Sequence, residues 1–251
     1  MLYWLAKYVF IGPWLRLIWR PYLIGAQNIP RRGPVILASN HLSFCDSFFL
    51  PLLVSRKVIF LGKAEYFVTP GLKGLLSRLF FAGVGVVPID RGDPDAARAS
   101  LRTGVRILGA GHILGIYPEG TRSPDGRLYR GKTGVARMAL QAGVPVVPVA
   151  MIDTGTIQPT GRRFPKLRPR PGVRVGQPLD FSRYEGMAGD RFVERSMTDE
   201  IMYELMMLSG QEYVDVYAAK VKQGVIGPAA FGQRRERARE AGDRIPAERA
   251  G

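Results

Sequence analysis

Residues 34–46 read PVILASNHLSFCD, an apolar run that leads into a short polar turn. An apolar run of this length predicts a buried strand, here over residues 34–38. The apolar residues after the turn predict a helix, whose start Ser43 or Asp46 can cap. A strand that passes through a short turn into a helix is typical of parallel sheets, so this stretch predicts an α/β fold.

The same alternation continues along the chain. Further strands are predicted over residues 58–61, 84–89, 113–117, 144–151 and 173–175. We therefore expect one domain, residues 22–222, with a mostly parallel central sheet flanked by helices. Two prolines interrupt residues 144–151 and cannot donate to a sheet ladder, which predicts a sheet edge or a bulge there. The last helix is predicted to start at Thr198-Asp199.

The composition is strongly basic, with a net charge of +15 and a pI near 10.3. Such an excess favours anionic partners, namely nucleic acid, anionic lipid surfaces or phosphorylated substrates. The single cysteine excludes an intramolecular disulfide framework, and no Cys/His cluster has the spacing of a zinc site. We expect no bound metal or cofactor, and we expect residues 223–251 to form a basic, mobile tail.

Residues 1–21 differ from the rest of the chain because they hold all three tryptophans among aliphatic and basic residues. Lys7, Pro13 and Arg16 interrupt the apolar residues, so no run of about 20 is available for a spanning helix. Tryptophan and tyrosine mixed with cations predict a helical segment that lies in the headgroup region of a membrane and meets anionic lipids. The alternative is a helix packed on the protein's own core.

His41 and Asp46 lie five positions apart in the turn and the helix start. An imidazole titrates near neutral pH, which suits a general base, and a neighbouring carboxylate can fix its tautomer. The pair is a candidate base with its orienting partner. The alternatives are a structural histidine and an aspartate that only caps its helix.

A second group of candidates follows the predicted strand 113–117. The run Tyr117-Pro118-Glu119-Gly120-Thr121-Arg122-Ser123 presents a carboxylate, a hydroxyl and a guanidinium in one tight turn. An arginine fork can hold a phosphate by two hydrogen bonds. Arg91 ends another predicted strand and offers a second guanidinium.

These elements together resemble the glycerolipid acyltransferases. Four ordered blocks carry the likeness, at residues 40–46, 85–91, 119–122 and 144–148. Order, spacing and residue identity agree across roughly residues 22–180, and the 1-acyl-sn-glycerol-3-phosphate acyltransferase branch is the closest likeness. Pro88 stands where many relatives have an aromatic residue, a change that affects packing but removes no charge.

The resemblance implies a role for each block. His41 corresponds to the catalytic base and Asp46 to its partner, while Pro148 lies in a block linked with acyl-donor binding. The substrate-binding residues implied are Arg91, Glu119, Gly120, Thr121 and Arg122. The implied reaction moves a fatty acyl group from acyl-CoA or acyl carrier protein to the free hydroxyl of 1-acylglycerol 3-phosphate (lysophosphatidic acid), which gives phosphatidic acid. The implied location is the cytoplasmic face of the cell membrane, as a peripheral or monotopic protein.

Several residues keep an alternative interpretation. Arg91 and Arg122 can be structural ion-pair residues, the latter with Glu119, and Glu119 more plausibly orients an arginine or bonds a hydroxyl than meets a phosphate. Cys45 can be a nucleophile that forms an acyl-enzyme, although a small apolar residue beside the site is the simpler interpretation.

Two other functions fit part of the sequence. The same fold can serve a different lysolipid or polar acceptor, or transfer acyl groups between phospholipids without a free thioester. The net charge and the basic loop 162–170 also suit a nucleic-acid-binding protein. Against that function, no recognition helix or RNA-binding signature is present, so we expect no nucleic-acid partner.

Overall fold

The predicted strands form the centre of the molecule. The computed structural model describes residues 1–68, 70–89, 96–159, 162 and 164–225. Its strands are β1 Tyr22–Ile24, β2 Val35–Ser39, β3 Val58–Lys63, β4 Val86–Ile89, β5 Ile113–Ile116, β6 Leu128–Tyr129, β7 Val146–Ile152, β8 Gly172–Val175 and β9 Tyr213–Val214. The end of the predicted tail, from residue 226 onward, lies outside the described residues.

The helices alternate with these strands. They are α1 Leu2–Leu5, α2 Gly12–Trp19, α3 Asp46–Leu53, α4 Glu65–Val68, α5 Gly71–Gly83, α6 Ala96–Gly109, α7 Gly134–Ala142, α8 Thr154–Ile157, α9 Arg191–Ser209 and α10 Ala218–Lys222. A π-helix, Ala6–Phe10, joins α1 to α2, and short 3-10 helices cover Ala26–Asn28 and Ser182–Tyr184.

In the described part of the chain, seven strands form one sheet in the order β1-β8-β7-β2-β5-β3-β4. The five strands from β7 to β4 are mutually parallel, whereas β8 pairs antiparallel with β7, and β1 runs parallel to β8. The predicted mostly parallel sheet flanked by helices is therefore confirmed. Strands β6 and β9 pair in a separate small sheet.

Strand β2 lies at the centre of the sheet and is buried along its whole length. Because successive side chains of a strand point to opposite faces, Ile36 packs into the cluster formed with α6, α7 and α9, and Leu37 into the cluster formed with α3. Burial on both faces explains why this strand is a continuous apolar run rather than an alternating one.

The expectation that the prolines put residues 144–151 at a sheet edge is wrong, but the bulge that was the other expectation fits the pairing beside Pro148. The register there shifts by one residue, from Val149 opposite Val175 to Val146 opposite Leu179. Strand β7 lies between β8 and β2. The carbonyl of Pro148 accepts from the N–H of Gly176, one residue beyond the end of β8. The nitrogen of Pro148 faces the same side, where β8 has ended and no ladder bond is needed.

The expected start of the last helix is also wrong. Helix α9 begins at Arg191, because the carboxylate of Asp190 accepts from the N–H groups of Phe192 and Val193 at 2.8 and 3.1 Å. Thr198 lies inside the helix, and its hydroxyl donates to the Glu194 carbonyl at 2.7 Å. The stronger cap two turns earlier sets the boundary.

The N-terminal segment is helical, as expected, but Lys7 turns inward and Arg16, although exposed, bonds a backbone carbonyl. Lys7 is only 7% exposed and its ammonium donates to the carbonyl of Val54, at the end of α3. Burial lowers the pKa of Lys7 to about 8. Arg16 reaches the Leu52 carbonyl at 3.2 Å. The two cations therefore dock this segment on the C-terminus of α3, where positive charge is favoured. None of the described helices is long and apolar enough to cross a bilayer.

Candidate active site

The candidate residues meet at the carboxyl ends of the parallel strands. His41 lies two residues beyond β2 and Glu119 three residues beyond β5, and these strands are neighbours in the sheet. Ligand sites of open α/β sheets lie at this edge. The sheet topology therefore brings together two residues that lie 78 positions apart.

His41 and Asp46 are in direct contact, with 2.8 Å between Nδ1 and Oδ2. The same carboxylate oxygen accepts from the backbone N–H groups of Leu42 and Ser43, each at 2.8 Å. An oxygen that receives these donors is an acceptor, so Nδ1 of His41 carries the proton and Nε2 keeps a free lone pair. Asp46 is fully buried and the His41 side chain is 16% exposed. The geometry is that of a base and its orienting group.

Asp46 does not cap α3 in the expected way. It is the first residue of the helix, and its side chain folds back onto the preceding turn, while no side chain caps the helix start. Ser43 does not cap it either, because its hydroxyl accepts from the N–H of Cys45 at 3.2 Å within the turn. The helix start thus serves to aim a carboxylate at the imidazole.

Tyr117 fixes the plane of the His41 ring, a role that the sequence did not reveal. The two rings stack with centroids 3.8 Å apart and planes 10° apart. Tyr117 also stacks on Phe60, and its hydroxyl lies 3.3 Å from Oγ of Ser47. The signal was its place at the end of a strand, two residues before Glu119.

Glu119 is 1% exposed and holds backbone rather than ligand atoms. Its Oε1 accepts from the N–H of His41 and its Oε2 from the N–H of Tyr129, both at 3.2 Å. Burial raises the pKa of Glu119 to about 8, although the two backbone N–H donors act in the opposite direction. From the same loop, the N–H of Ser123 donates to the His41 carbonyl at 2.7 Å. The loop therefore forms hydrogen bonds with both the N–H and the carbonyl of His41.

The rest of this loop faces outward. Gly120 has a φ of 72°, a left-handed conformation that favours glycine. Thr121 and Arg122 are partly exposed, and Arg122 forms no ion pair with Glu119 within the described residues. The other predicted guanidinium, Arg91, lies outside the described residues.

Asn40, the residue before the histidine, joins β2 to β7. Its Oδ1 accepts from the N–H of Met151 at 2.7 Å, and its Nδ2 donates to the Met151 carbonyl at 3.1 Å and to Oε1 of Gln211 at 2.6 Å. A fully buried amide with these partners anchors the start of the turn that carries His41. Its place between a strand and a histidine was the available signal.

Cys45 has the environment of a packing residue. It is 8% exposed, its thiol donates to Oε1 of Gln158 at 3.1 Å, and burial raises its pKa to about 11. At neutral pH the side chain is a thiol rather than the thiolate that nucleophilic attack requires.

An apolar cavity of about 320 Å³ opens beside the turn that carries His41. Its lining comes from α2 and the residue before it, from α3 and the turn before it, from α5, and from two residues after α8: Ile11, Leu15, Trp19, Phe44, Cys45, Phe48, Phe49, Phe80, Gln158 and Pro165. Phe44 and Cys45 belong to the turn itself, so the cavity and the His41 imidazole share one loop. No cluster of three or more metal-ligating His, Cys, Asp or Glu side chains occurs among the described residues.

Comparison with known proteins gives a consistent picture. A protein-family model for acyltransferases matches residues 20–152. Two plant proteins named 1-acyl-sn-glycerol-3-phosphate acyltransferase, BAT2 of Brassica napus and LPAT1 of Arabidopsis thaliana, are each 38% identical over 138 residues. The match covers 55% of this chain and 38% and 37% of those proteins, so it spans less than half of their length.

A human protein and a bacterial crystal structure extend the comparison. Human 1-acyl-sn-glycerol-3-phosphate acyltransferase beta is 30% identical over 138 residues, covering 55% of this chain and 48% of its own. The crystal structure of the 1-acyl-sn-glycerophosphate acyltransferase PlsC from Thermotoga maritima superposes with a TM-score of 0.55 at 24% identity. That superposition covers 73% of this chain and 69% of PlsC, and it shows a shared fold.

Proposed function

The chain belongs to the acyltransferase family, and we propose that it transfers a fatty acyl group from an acyl thioester to the free hydroxyl of 1-acylglycerol 3-phosphate. The observation that carries the proposal is the His41–Asp46 contact, which leaves Nε2 of His41 free. The loop that carries Arg122 bonds the His41 backbone through Glu119 and Ser123. The names of the plant and human relatives support the choice of acceptor.

The chemistry needs one base and no covalent enzyme intermediate. Nε2 of His41 removes the proton of the acceptor hydroxyl as the oxygen attacks the thioester carbonyl carbon. The C–O bond forms and the C–S bond breaks, and the imidazolium returns the proton to the departing thiolate. Asp46 stabilises the imidazolium in between, and a positioned base of this kind contributes about 10²–10⁴-fold.

The acceptor's phosphate fixes where its hydroxyl lies. Arg122 follows the Gly120 turn next to the His41 loop, and a guanidinium binds a phosphate through two parallel hydrogen bonds. Gly120, Thr121 and Arg91 complete this substrate-binding group in our proposal. Holding the phosphate converts the attack into an effectively intramolecular step.

The apolar cavity suits the acyl chain of the donor. Its lining is almost entirely aliphatic and aromatic, and it adjoins the turn that carries His41. A chain held there would present its thioester carbonyl to the base. The donor carries its own thiol carrier, which we propose to be coenzyme A or acyl carrier protein, so no bound cofactor or metal is required.

We propose that the protein works on the cytoplasmic face of the cell membrane, as a peripheral or monotopic protein. Trp14 and Leu17 of α2 are 64% and 66% exposed, and Leu72 and Leu76 of α5 are 73% and 59% exposed. Both helices also line the apolar cavity. Apolar faces of this kind insert into the boundary between lipid headgroups and acyl chains.

The basic loop beside α2 supplies the charge that the inward-turned Lys7 does not. Phe164 and Leu167 are 70% and 68% exposed, and they alternate with the exposed Lys166 and Arg168. Trp19 of α2 bonds the Lys166 carbonyl at 2.9 Å, which fixes the loop next to the helix. Each cation near an anionic bilayer contributes about 1 kcal/mol. This arrangement favours a lipid surface over nucleic acid as the partner of the loop.

The test is an acceptor panel with the purified protein. Thiol release from acyl-CoA and from acyl carrier protein is measured with lysophosphatidic acid, lysophosphatidylglycerol and lysophosphatidylcholine. We expect release that depends on lysophosphatidic acid, with phosphatidic acid as product. Thiol release only with another lysolipid would show that the acceptor is that lysolipid. Acyl exchange between phospholipids without thiol release would show that the donor is a phospholipid and not a thioester. Oligonucleotide binding without acyl transfer would overturn the proposal.

A further inference from the structure

Three cations gather around the Gly120–Thr121 turn, and two of them come from later parts of the chain. The side chain of Lys132 crosses the open face of Gly120, where an added Cβ would lie 3.1 Å from its Cε and 3.2 Å from its Nζ. Lys222 in α10 donates to Oγ1 of Thr121 at 2.9 Å. Arg122 follows in the same turn. The turn therefore carries more positive charge than its own sequence shows.

Among the described residues, no direct ion pair neutralises this charge. In the part of the chain that the structure describes, none of these three cations forms an ion pair with a carboxylate. Burial and then the charge of Arg122 lower the pKa of Lys222, and the buried Glu119 offsets them only in part. Cations that crowd each other in this way gain from binding an anion.

The C-terminal segment is held firmly enough to place Lys222. Strand β6 pairs with β9, and Tyr129 packs with Val214 and Ala218 in a small buried cluster. The N–H of Arg130 bonds the carbonyls of Val214 and Val216, each at 3.1 Å. Tyr129 in turn bonds Glu119, which holds the His41 loop. The segment that carries Lys222 is thus tied to the base through a chain of packed residues.

We propose that Lys132 and Lys222 bind the acceptor's phosphate together with Arg122 and thereby select a phosphate monoester over a phosphodiester. This inference rests on the proposed function. A monoester carries a charge of about −1.5 to −2 at neutral pH, whereas a diester carries a single negative charge. A site of three cations therefore prefers the monoester. Lys222 lies outside residues 20–152, the stretch that the family model matches.

The test is an equilibrium-binding measurement, which does not require turnover. Short-chain lysophosphatidic acid and the matching lysophosphatidylglycerol are titrated against the wild type, Lys222→Gln, Lys222→Arg and Lys132→Gln. Lys220→Gln is the matched control, because Lys220 is exposed on the same short helix and the substitution removes the same charge. Thermal unfolding confirms that the variants are folded.

We expect Lys222→Gln and Lys132→Gln each to weaken monoester binding about tenfold, as the loss of one charge-assisted hydrogen bond predicts. Diester binding should change much less, Lys222→Arg should restore most of the loss, and Lys220→Gln should match the wild type. Equal losses in Lys222→Gln and Lys220→Gln, equal losses for both ligands, or no monoester binding by the wild type would overturn the inference. If the lysine-dependent site is present but no lysolipid is acylated, the proposed function fails and the anion site stands.

Discussion

The backbone N–H of His41 donates to Oε1 of Glu119 at 3.2 Å, so the buried Glu119 side chain holds the candidate base by its main chain. The ring of His41 is held separately, by Asp46 at Nδ1 and by Tyr117 on one face. Backbone and ring are thus positioned by different residues, two of which lie in the loop after β5. The position of the candidate base therefore depends on groups that do not themselves take the proton from the acceptor.

Glu119→Gln should lower kcat by about 10²-fold and leave the KM for lysophosphatidic acid nearly unchanged. The amide has one oxygen, so either His41 or Tyr129 loses its acceptor and faces an NH₂ group instead. Initial rates over a range of acceptor concentrations separate the two constants. Glu185→Gln, at an exposed position, is the control. A raised KM with an unchanged kcat would show that Glu119 contacts substrate instead of positioning the base.

Glu119 should also make stability fall as the pH rises. Burial raises its pKa from 4.5 to about 8, so between these values the folded protein retains a proton that the unfolded chain releases. Unfolding then releases a proton, and the free energy of unfolding decreases with increasing pH. Urea titrations at several pH values should show the wild type losing stability relative to Glu119→Gln across this window. A constant difference between the two proteins would mean that the pKa is not raised.

Cys45→Ala should retain turnover within a few-fold of the wild type. The thiol is buried, bonded to Gln158 and has a pKa of about 11, so it is not available as a nucleophile. Rates measured with acyl-CoA, together with mass spectrometry of the protein after incubation with donor alone, check this. Loss of turnover together with an acylated Cys45 in the wild type would establish an acyl-enzyme and exclude direct transfer.

Replacing exposed apolar residues on α2 and α5 should weaken membrane binding. Trp14→Ser combined with Leu76→Ser removes two side chains that are 64% and 59% exposed, and vesicle flotation with anionic lipids should show a loss of at least about tenfold. Phe192→Ser is the control, since Phe192 is 87% exposed but lies on α9, which packs on the opposite face of the sheet. Equal losses in the two proteins would mean that α2 and α5 do not form the membrane-binding surface.

The parts of the fold that follow from local sequence were predictable. Short-range preferences predict the strand before His41 and the end of α7 at Gly143. The alternation of strands and helices along the chain then implies a parallel sheet. The contact between His41 and Asp46 was predictable for the same reason, because only five positions separate the turn residue from the start of the helix. The sheet edge expected at the prolines was wrong because sequence does not show that β8 ends beside Pro148 and leaves its nitrogen without a ladder partner.

The features that depend on distant residues were not predictable. The resemblance implied that Glu119 binds substrate, and its charge suggested that it orients an arginine or bonds a hydroxyl, but tertiary structure turns it toward the backbone of His41. Lys7 was expected to meet lipid headgroups, but its ammonium donates to a backbone carbonyl at the end of α3. Lys222 reaches Thr121 across 101 positions, and no local pattern signals such a contact.

The most direct test of the central claim is acyl transfer by His41→Ala beside His112→Ala. His112 is the other histidine of the chain and lies exposed before β5. His112→Ala therefore controls for the loss of any one imidazole, so that a loss of rate seen only in His41→Ala is due to the loss of the base. Thiol release dependent on lysophosphatidic acid should fall by at least about 10²–10⁴-fold in His41→Ala and remain at the wild-type rate in His112→Ala. Wild-type release by His41→Ala would contradict the account.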